Sequence, residues 1–374
     1  MPHGPHRAPP VAVLLALMSG AVGAAGADER VYLVDTLVAG LEHPWSIAFL
    51  PDGDKLVTER AGRLRIIRDD ELLPDPVSGV PEAYVRSQAG LFEVLPHPGF
   101  ETNRLLYLSF AHGTRRENTT RVVRGRYSDG ALTDVEVIFD AAPRRNTPVH
   151  YGGRMAWLPD GTLLVGLGDG FDFREAAQDP GDHLGSVVRL NDDGAVPADN
   201  PFVGRDDIRP ETFTFGHRNV QGVVHDPDHD IIWAHEHGPR GGDELNRLIP
   251  GRNYGWPVIT YGVDYSGAKI TPYTERPGME QPLIDWTPSI APAGLGRYTG
   301  EVFPEWHGDL LVAGLVSRAV HRIEIDDTGR PREVERLFNE LGERLRDVRA
   351  GPDGLVYVLT DSREGRVLRV RRRP

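Results

Sequence analysis

One pattern recurs along the chain: an apolar segment, a turn rich in Asp, Gly or Pro, and a second segment with alternating apolar residues. The three closest copies are AFLPDGDKLVTER (48–60), AWLPDGTLLVGLGDG (156–170) and RAGPDGLVYVLTD (349–361). Looser copies span 95–110, 224–238 and 303–315. Because a tight turn between two such segments is typical of a β-hairpin, the sequence predicts six hairpins.

Six hairpins spaced roughly 45–80 residues apart predict an all-β fold, specifically a six-bladed β-propeller over residues 28–374. One blade cannot bury both of its faces, whereas six blades packed around an axis can. The segment VYLVDTLVAG (31–40) is expected to pair with RVLRVRRR (366–373) and close the ring. A pair of packed sheets would accommodate the same hairpins, but the count of six and the lack of a long amphipathic helix pattern favour the propeller.

Residues 1–27 have the pattern of a secretory signal: Arg7 without an acid, an apolar run and then small residues. The alternative is an uncleaved anchor, for which the apolar run is short. We therefore expect a periplasmic or secreted protein, with no membrane span in the mature chain. The absence of cysteine excludes disulfides and thiolate metal sites. A net charge of −13 without a basic block argues against a nucleic acid partner.

His150 and Asp169 lie at the two ends of one predicted hairpin, in HYGGRMAW and GLGDG. The hairpin is expected to bring them together, so that the Asp169 carboxylate orients the His150 imidazole. Such a pair can act as a general base. The alternative is a structural histidine that caps a turn.

Several residues suggest an anionic ligand. Arg218 and Asn219 lie between glycines in GHRNVQG, where a fixed guanidinium suits a carboxylate or an oxyanion. Arg344 and Arg346 are two residues apart, so a strand directs both to one face. The alternatives are pairing with loop acids and exposure on a solvated face. Gln88, at a turn before a strand, is a weaker candidate.

The segment HEHGPRGGDE (235–244) indicates a metal site. Calcium would use backbone carbonyls of Gly238 and Pro239 and a carboxylate such as Glu244. Zinc would use His235 and His237, which share a face if the segment is a strand. In the nearby segment NYGWPVITYG, Trp256 would form either an aromatic wall or part of the core.

These motifs together resemble the soluble sugar dehydrogenases that use pyrroloquinoline quinone (PQQ), the glucose and aldose sugar dehydrogenase family. The resemblance runs from about Leu41 to Asp361 and rests on motifs in order, among them QAGLFEVLPHPGF, HYGGRMAWLPDG, GHRNVQG, EHGPRGGDELN, NYGWP and RLRDVRAGPDG. It implies a six-bladed propeller that oxidises aldose sugars at the anomeric carbon to lactones, with PQQ and Ca²⁺ as cofactors. The external electron acceptor stays unidentified.

The resemblance also implies roles for single residues. His150 would be the general base, Asp169 its orienting carboxylate, and Arg218 a residue near the reactive quinone carbonyl. Residues implied at the cofactor are Gln88, Arg218, Asn219, Arg344 and Arg346, with Arg318 where the family usually has a lysine. Backbone carbonyls of Gly238 and Pro239 would bind the calcium ion at the cofactor, and Glu244 and Tyr254 would bind a second calcium ion. His235 and His237 would then be structural.

Two other functions fit the same sequence. A calcium-dependent lactonase would share the propeller, the calcium and the His–Asp pair, but would not need three converging arginines. A non-enzymatic, calcium-stabilised binding propeller would need neither His150 nor Asp169.

Overall fold

The computed structural model describes Met1, Gly4 and residues 30–374. In this part of the chain, strands form six four-stranded antiparallel sheets. The predicted signal at 1–27 lies outside the described residues, apart from Met1 and Gly4. No helix among the described residues is both long and apolar enough to cross a bilayer.

The strands follow the chain in blade order, with the first strand of the chain belonging to the last blade. Blade one consists of β2 (Pro44–Phe49), β3 (Lys55–Glu59), β4 (Arg63–Arg68) and β5 (Glu71–Leu72). Blade two consists of β6 (Leu91–Pro96), β7 (Leu105–Gly113), β8 (Asn118–Ser128) and β9 (Ala131–Asp140). Blade three consists of β10 (Gly152–Trp157), β11 (Leu163–Leu167), β12 (Ser186–Leu190) and β13 (Thr212–Phe215). Blade four consists of β14 (Val220–Asp226), β15 (Ile231–Glu236), β16 (Asp243–Leu248) and β17 (Ile284–Trp286). Blade five consists of β18 (Pro292–Arg297), β19 (Leu310–Gly314), β20 (Val320–Ile325) and β21 (Pro331–Leu337). Blade six consists of β22 (Leu345–Ala350), β23 (Val356–Thr360), β24 (Gly365–Arg372) and β1 (Tyr32–Leu41).

Five of the six repeated segments span the turn between the first two strands of a blade, and the sixth, 303–315, holds the turn and the second strand of blade five. The first strands of successive blades contact one another in a closed cycle, so they line the axis of the ring. Among residues 30–374, helix is confined to α1 (Phe100–Asn103) and three short 3₁₀ turns. The predicted six-bladed propeller is therefore confirmed.

The ring closes as expected from the sequence. β1 pairs antiparallel with β24, from Tyr32 opposite Arg372 to Leu41 opposite Gly365. The last blade thus combines both ends of the described chain, and its outer strand comes from the amino-terminal end. Pairing between β1 and β24 joins blade six to the start of the chain without a covalent link.

Six hydrophobic clusters hold the blades together, one between each pair of neighbouring sheets. Between blades five and six, the Tyr32 ring of β1 packs edge-on against Trp306 and Phe338. Its hydroxyl accepts a hydrogen bond from the Phe338 backbone N–H at 3.2 Å. The closing strand is therefore anchored to the neighbouring blade as well as to β24.

The axis itself holds buried ions. Arg154 on β10 forms ion pairs with Glu93 on β6 (3.1 Å) and Asp347 on β22 (3.3 Å). Arg349, also on β22, pairs with both Glu93 (2.9 Å) and Asp347 (3.2 Å). Two cations and two anions therefore alternate, so that each buried charge has two partners. Gly294 on β18 leaves room for this group, because a Cβ there would lie 2.0 Å from Asp347 Oδ1.

The same four residues reach the remaining first strands. Arg154 donates to backbone carbonyls of Trp45 on β2 and Gln221 on β14, and Arg349 donates to the carbonyl of Leu295 on β18. We call Glu93, Arg154, Asp347 and Arg349 the axial charge group. It contacts the first strand of every blade.

We predict that Tyr32→Ala lowers the free energy of unfolding by about 3–5 kcal/mol, because it opens a cavity between blades five and six. Tyr32→Phe is expected to cost only about 1 kcal/mol, the contribution of one hydrogen bond. Denaturant unfolding of both variants and the wild type measures these values. Equal stability of Tyr32→Ala and wild type would show that β1 does not hold the ring closed.

Candidate functional site

A cavity of about 220 Å³, here called the central cavity, lies where the first strands begin. Its lining comes from two places in the repeated blade. Residues at or just before the start of a first strand are Trp45, Gln88, Gly152, Asn219, Ala291 and Arg346. Residues directly after a second strand are Arg60, His237, Leu315 and Asp361. The propeller therefore gathers sequence-distant side chains at one mouth.

His150 and Asp169 meet as predicted. His150 Nδ1 lies 2.7 Å from Asp169 Oδ1, and both side chains are buried. The other carboxylate oxygen accepts a hydrogen bond from Trp256 Nε1 at 2.8 Å. The backbone N–H of His150 donates to Gln88 Oε1 at 2.9 Å, which ties the histidine to the central cavity. With Nδ1 engaged by the carboxylate, Nε2 is the nitrogen left for a substrate proton.

The environment of this pair sets its protonation. Burial lowers the pKa of His150, although the hydrogen bond and charge of Asp169 oppose that shift. Burial is the largest influence on Asp169 and would raise its pKa, but the hydrogen bond and charge of His150, the charge of Arg218 and the Phe171 backbone N–H together hold that pKa below its usual value. At neutral pH the pair therefore consists of a neutral imidazole and a carboxylate, the form that can accept a proton.

Arg218 lies beside this pair, where a second opening of about 290 Å³ begins. We call this opening the lateral cleft. Its aromatic residues are Phe171, Trp256 and Tyr265, and the Phe171 ring meets the His150 ring edge-on at 5.1 Å. The Arg218 guanidinium lies over the Trp256 ring at 5.3 Å. His150 is thus in contact with residues of both openings.

Arg344 and Arg346 share one carboxylate. Arg346 Nη2 lies 3.0 Å from Asp361 Oδ2, and Arg344 Nη2 lies 3.3 Å from the same oxygen. His43 Nδ1 lies 2.9 Å from the other oxygen. Although burial opposes it, the charge of Arg346, followed by His43 and Arg344, holds the pKa of Asp361 well below its usual value. The two arginines do face one way, as expected, and a protein carboxylate compensates part of their charge.

Asn219 and Arg318 differ in placement. Asn219 lines the central cavity, and its Oδ1 accepts a hydrogen bond from the Gly152 backbone N–H at 3.1 Å. Arg318 has an exposed side chain that donates to the Gly342 carbonyl at 3.0 Å and does not line the cavity. Its backbone is left-handed, with φ of 54°, which a pattern of residue types does not reveal.

The loop 237–242 presents backbone oxygen. Arg218 Nη1 donates to the carbonyls of His237 (3.0 Å) and Gly238 (2.5 Å), and Pro239 lines the lateral cleft. Among the described residues, no group of three or more His, Asp and Glu side chains could hold a metal ion. An ion at this loop would therefore depend mainly on carbonyl oxygen, and Gly238 has a second lone pair to offer.

The two histidines of this segment have different partners. His237 Nε2 lies 2.7 Å from the Pro292 carbonyl, whereas both ring nitrogens of the buried His235 lack a hydrogen-bond partner in the described chain. Burial, and then the charge of Arg154, lower the pKa of His235 to about 3. Among the described residues, no third His, Asp or Glu joins His235 and His237 in a group that could hold zinc.

Glu244 lies opposite Glu236 in the β15–β16 pair. Burial and the charge of Glu236 raise the pKa of Glu244 well above its usual value. Two adjacent carboxyl groups, of which Glu236 is buried and Glu244 is half-buried, suit a cation. Tyr254 contributes differently, because its hydroxyl donates to the Arg247 carbonyl (2.6 Å) and accepts from the Ile249 N–H (2.9 Å). Only its backbone carbonyl is left as a metal ligand.

Sequence reasoning missed Asp361 and Arg60, and it missed the contact of Trp256 with Asp169. Asp361 compensates part of the charge of the arginine pair, Trp256 holds Asp169, and Arg60 lines the central cavity. Arg60 and Asp361 occupy the same place in the repeat, directly after a second strand, so alignment of the repeats could have found them. Trp256 has no such signal, because 87 residues separate it from Asp169.

Comparison with known proteins agrees with this architecture. Residues 41–369 match the family model described as Glucose / Sorbosone dehydrogenase. The chain is 38% identical to the aldose sugar dehydrogenase YliI of Escherichia coli over 98% of this chain and 99% of that protein. A crystal structure of a glucose dehydrogenase is 45% identical, covers 90% of this chain and 99% of its own, and superposes with a TM-score of 0.87.

A PQQ-bound aldose sugar dehydrogenase from Streptomyces coelicolor is 26% identical, with a TM-score of 0.74 over 91% of this chain and 98% of its own. These similarities extend over nearly all the described blades, and they confirm the family that the motifs indicated. The chain therefore belongs to the glucose/sorbosone dehydrogenase family of sugar oxidoreductases.

Proposed function

We propose that the chain oxidises aldose sugars to lactones in the presence of PQQ and Ca²⁺. When bound, PQQ supplies the acceptor for the hydride of the anomeric carbon, and Ca²⁺ polarises it as a Lewis acid. The observation that carries the proposal is the buried His150–Asp169 pair between a cation-lined cavity and an aromatic cleft.

The hydrogen-bond donors that line the central cavity suit a planar, polyanionic cofactor. Arg344, Arg346 and Arg60 are cationic, and Gln88 and Asn219 add amides, while Trp45, Phe92 and Tyr151 form aromatic walls. Guanidinium groups bind carboxylates through charge-assisted, often bidentate hydrogen bonds. The loop carbonyls of Gly238 and Pro239 fit a hard cation beside that cavity.

The lateral cleft fits the sugar. Phe171 and Tyr265 stack with centroids 6.2 Å apart and form an exposed aromatic surface next to His150. An anomeric hydroxyl placed against this surface would donate its proton to His150 Nε2. Asp169 holds the imidazole orientation and stabilises the imidazolium that forms, and Trp256 fixes Asp169 from its other oxygen. Arg218 provides positive charge where negative charge develops.

The proposal predicts dye reduction by the purified chain with aldoses only when both PQQ and Ca²⁺ are added. His150→Ala is expected to lower kcat about 10²–10⁴-fold, since a general base contributes that much. The exposed His307→Ala is the matched control and should keep full activity. Lactone hydrolysis without dye reduction would favour the lactonase, and absence of both would favour a binding propeller.

The pH dependence follows from burial of the base. Because the pKa of His150 lies below its ordinary 6.5, kcat/KM should stay constant down to pH 6.5 and fall only at lower pH, as the imidazole becomes protonated. Asp169→Asn removes the groups that raise this pKa, so its acidic limb should move to still lower pH while kcat falls. If kcat/KM of the wild type already fell as the pH was lowered to 6.5, the assignment of His150 as the general base would be contradicted.

We also predict that Ca²⁺ raises Tm of the cofactor-free protein, since a ligand at 100 times its Kd adds about 2.7 kcal/mol to folding stability. Glu244→Gln removes a ligand of the second proposed calcium ion and should lower that shift, leaving the part that comes from the Gly238 and Pro239 carbonyls. Glu275→Gln, on the neighbouring exposed loop, is the control and should keep it. An equal Ca²⁺ shift in both variants would remove Glu244 from the proposed site.

A further inference from the structure

Arg60 is an arginine that no motif singled out. It follows β3 directly, the place in the blade that Asp361 takes after β23 and His237 after β15. All three residues line the central cavity. We infer that Arg60 binds a carboxylate of the cofactor and is the third cation of the central cavity. This inference rests on the proposed function.

The acidic side chains near Arg60 are paired with other arginines, so Arg60 can bind an anionic ligand. Its neighbour Glu59 is engaged by Arg63 at 2.6 Å and Arg65 at 3.5 Å, and Asp361 is engaged by Arg344 and Arg346. Within residues 30–374, the Arg60 guanidinium forms no ion pair or hydrogen bond. A half-buried guanidinium on a cavity wall without a counter-ion can engage an anionic ligand without first breaking a bond.

Arg60 adds positive charge to the wall of the central cavity. Arg344 and Arg346 share Asp361, so these three side chains leave a single net positive charge. PQQ is a tricarboxylate, and apart from the proposed Ca²⁺ ion and Arg218, these three side chains compensate only one of its negative charges. Arg318, where the family usually has a lysine, points to Gly342 outside the cavity. Arg60 supplies a second net charge at a position that does line the cavity.

The backbone holds Arg60 in place. Its N–H donates to the His43 carbonyl at 3.1 Å, and its carbonyl accepts from the Leu91 N–H at 3.2 Å. The side-chain stem packs on Gly90, where a Cβ would lie 2.6 Å from Arg60 Cγ. A Cβ at position 90 would also lie 2.0 Å from the Arg60 carbonyl oxygen, so Gly90 allows the close approach of both the backbone and the stem of Arg60. The guanidinium is therefore anchored at its base while its donors stay unpaired.

The test is equilibrium binding of PQQ to the cofactor-free full chain in Ca²⁺, followed by quenching of tryptophan fluorescence, since Trp45 lines the cavity. Arg60→Gln should raise Kd about 10- to 100-fold, the effect of losing a hydrogen bond between charged groups. Arg60→Lys keeps the charge and should recover part of the affinity. Arg115→Gln, an exposed arginine outside the cavity, is the matched control and should change Kd less than twofold.

A second ligand distinguishes recognition of the PQQ carboxylates from recognition of its ring system. For PQQ with its carboxylates esterified, the wild type and Arg60→Gln should bind alike, because no carboxylate is left for Arg60. Unchanged PQQ affinity in Arg60→Gln, with tight binding by the wild type, overturns this inference and leaves the proposed function standing. Failure of the wild type to bind PQQ overturns both. Thermal unfolding of each variant shows whether a weakened Kd reflects the cavity or a loss of folded protein.

Discussion

The axial charge group is the constraint on which the rest of the structure depends. Three buried ions, Glu93, Arg154 and Asp347, meet the partly exposed Arg349 where six first strands converge. Burying ions is costly unless each has well-placed partners, and removing one partner leaves an uncompensated charge. The group therefore tolerates only one arrangement of the strands around it, and it fixes the relative positions of the blades more strictly than apolar packing alone would.

The axial charge group also supports the backbone of the central cavity. Arg154 donates to the carbonyls of Trp45, Gln221 and Arg346, and all three residues line the central cavity. Side chains that line the central cavity therefore start from backbone that is held by the axis. Placing a reactive site on such a rigid frame limits the movement of the His150–Asp169 pair relative to the arginines, which is what a preorganised site needs.

Much of the fold could be read from the sequence because it depends on local chemistry. Turn residues and alternating strands reveal the hairpins, and the ends of one hairpin bring His150 and Asp169 together. Other features depend on contacts between distant segments. His43 and Asp361 are 318 residues apart, and the direction of Arg318 follows from a left-handed backbone. No local pattern encodes these contacts, so only the folded chain shows that Arg60 faces the cavity and Arg318 does not.

Closure of the ring by β1 and β24 has a consequence for circular permutation of the chain. Tyr32 opposite Arg372 marks one end of that pair, and Leu41 opposite Gly365 marks the other end, close to His43 and Asp361 at the cavity mouth. The two described ends therefore leave the ring on the face away from the cavity and lie side by side. A short linker could join them, and a new start could be cut into a loop between two other blades. The order of blades along such a permuted chain would change while the sheets and the cavity stayed the same.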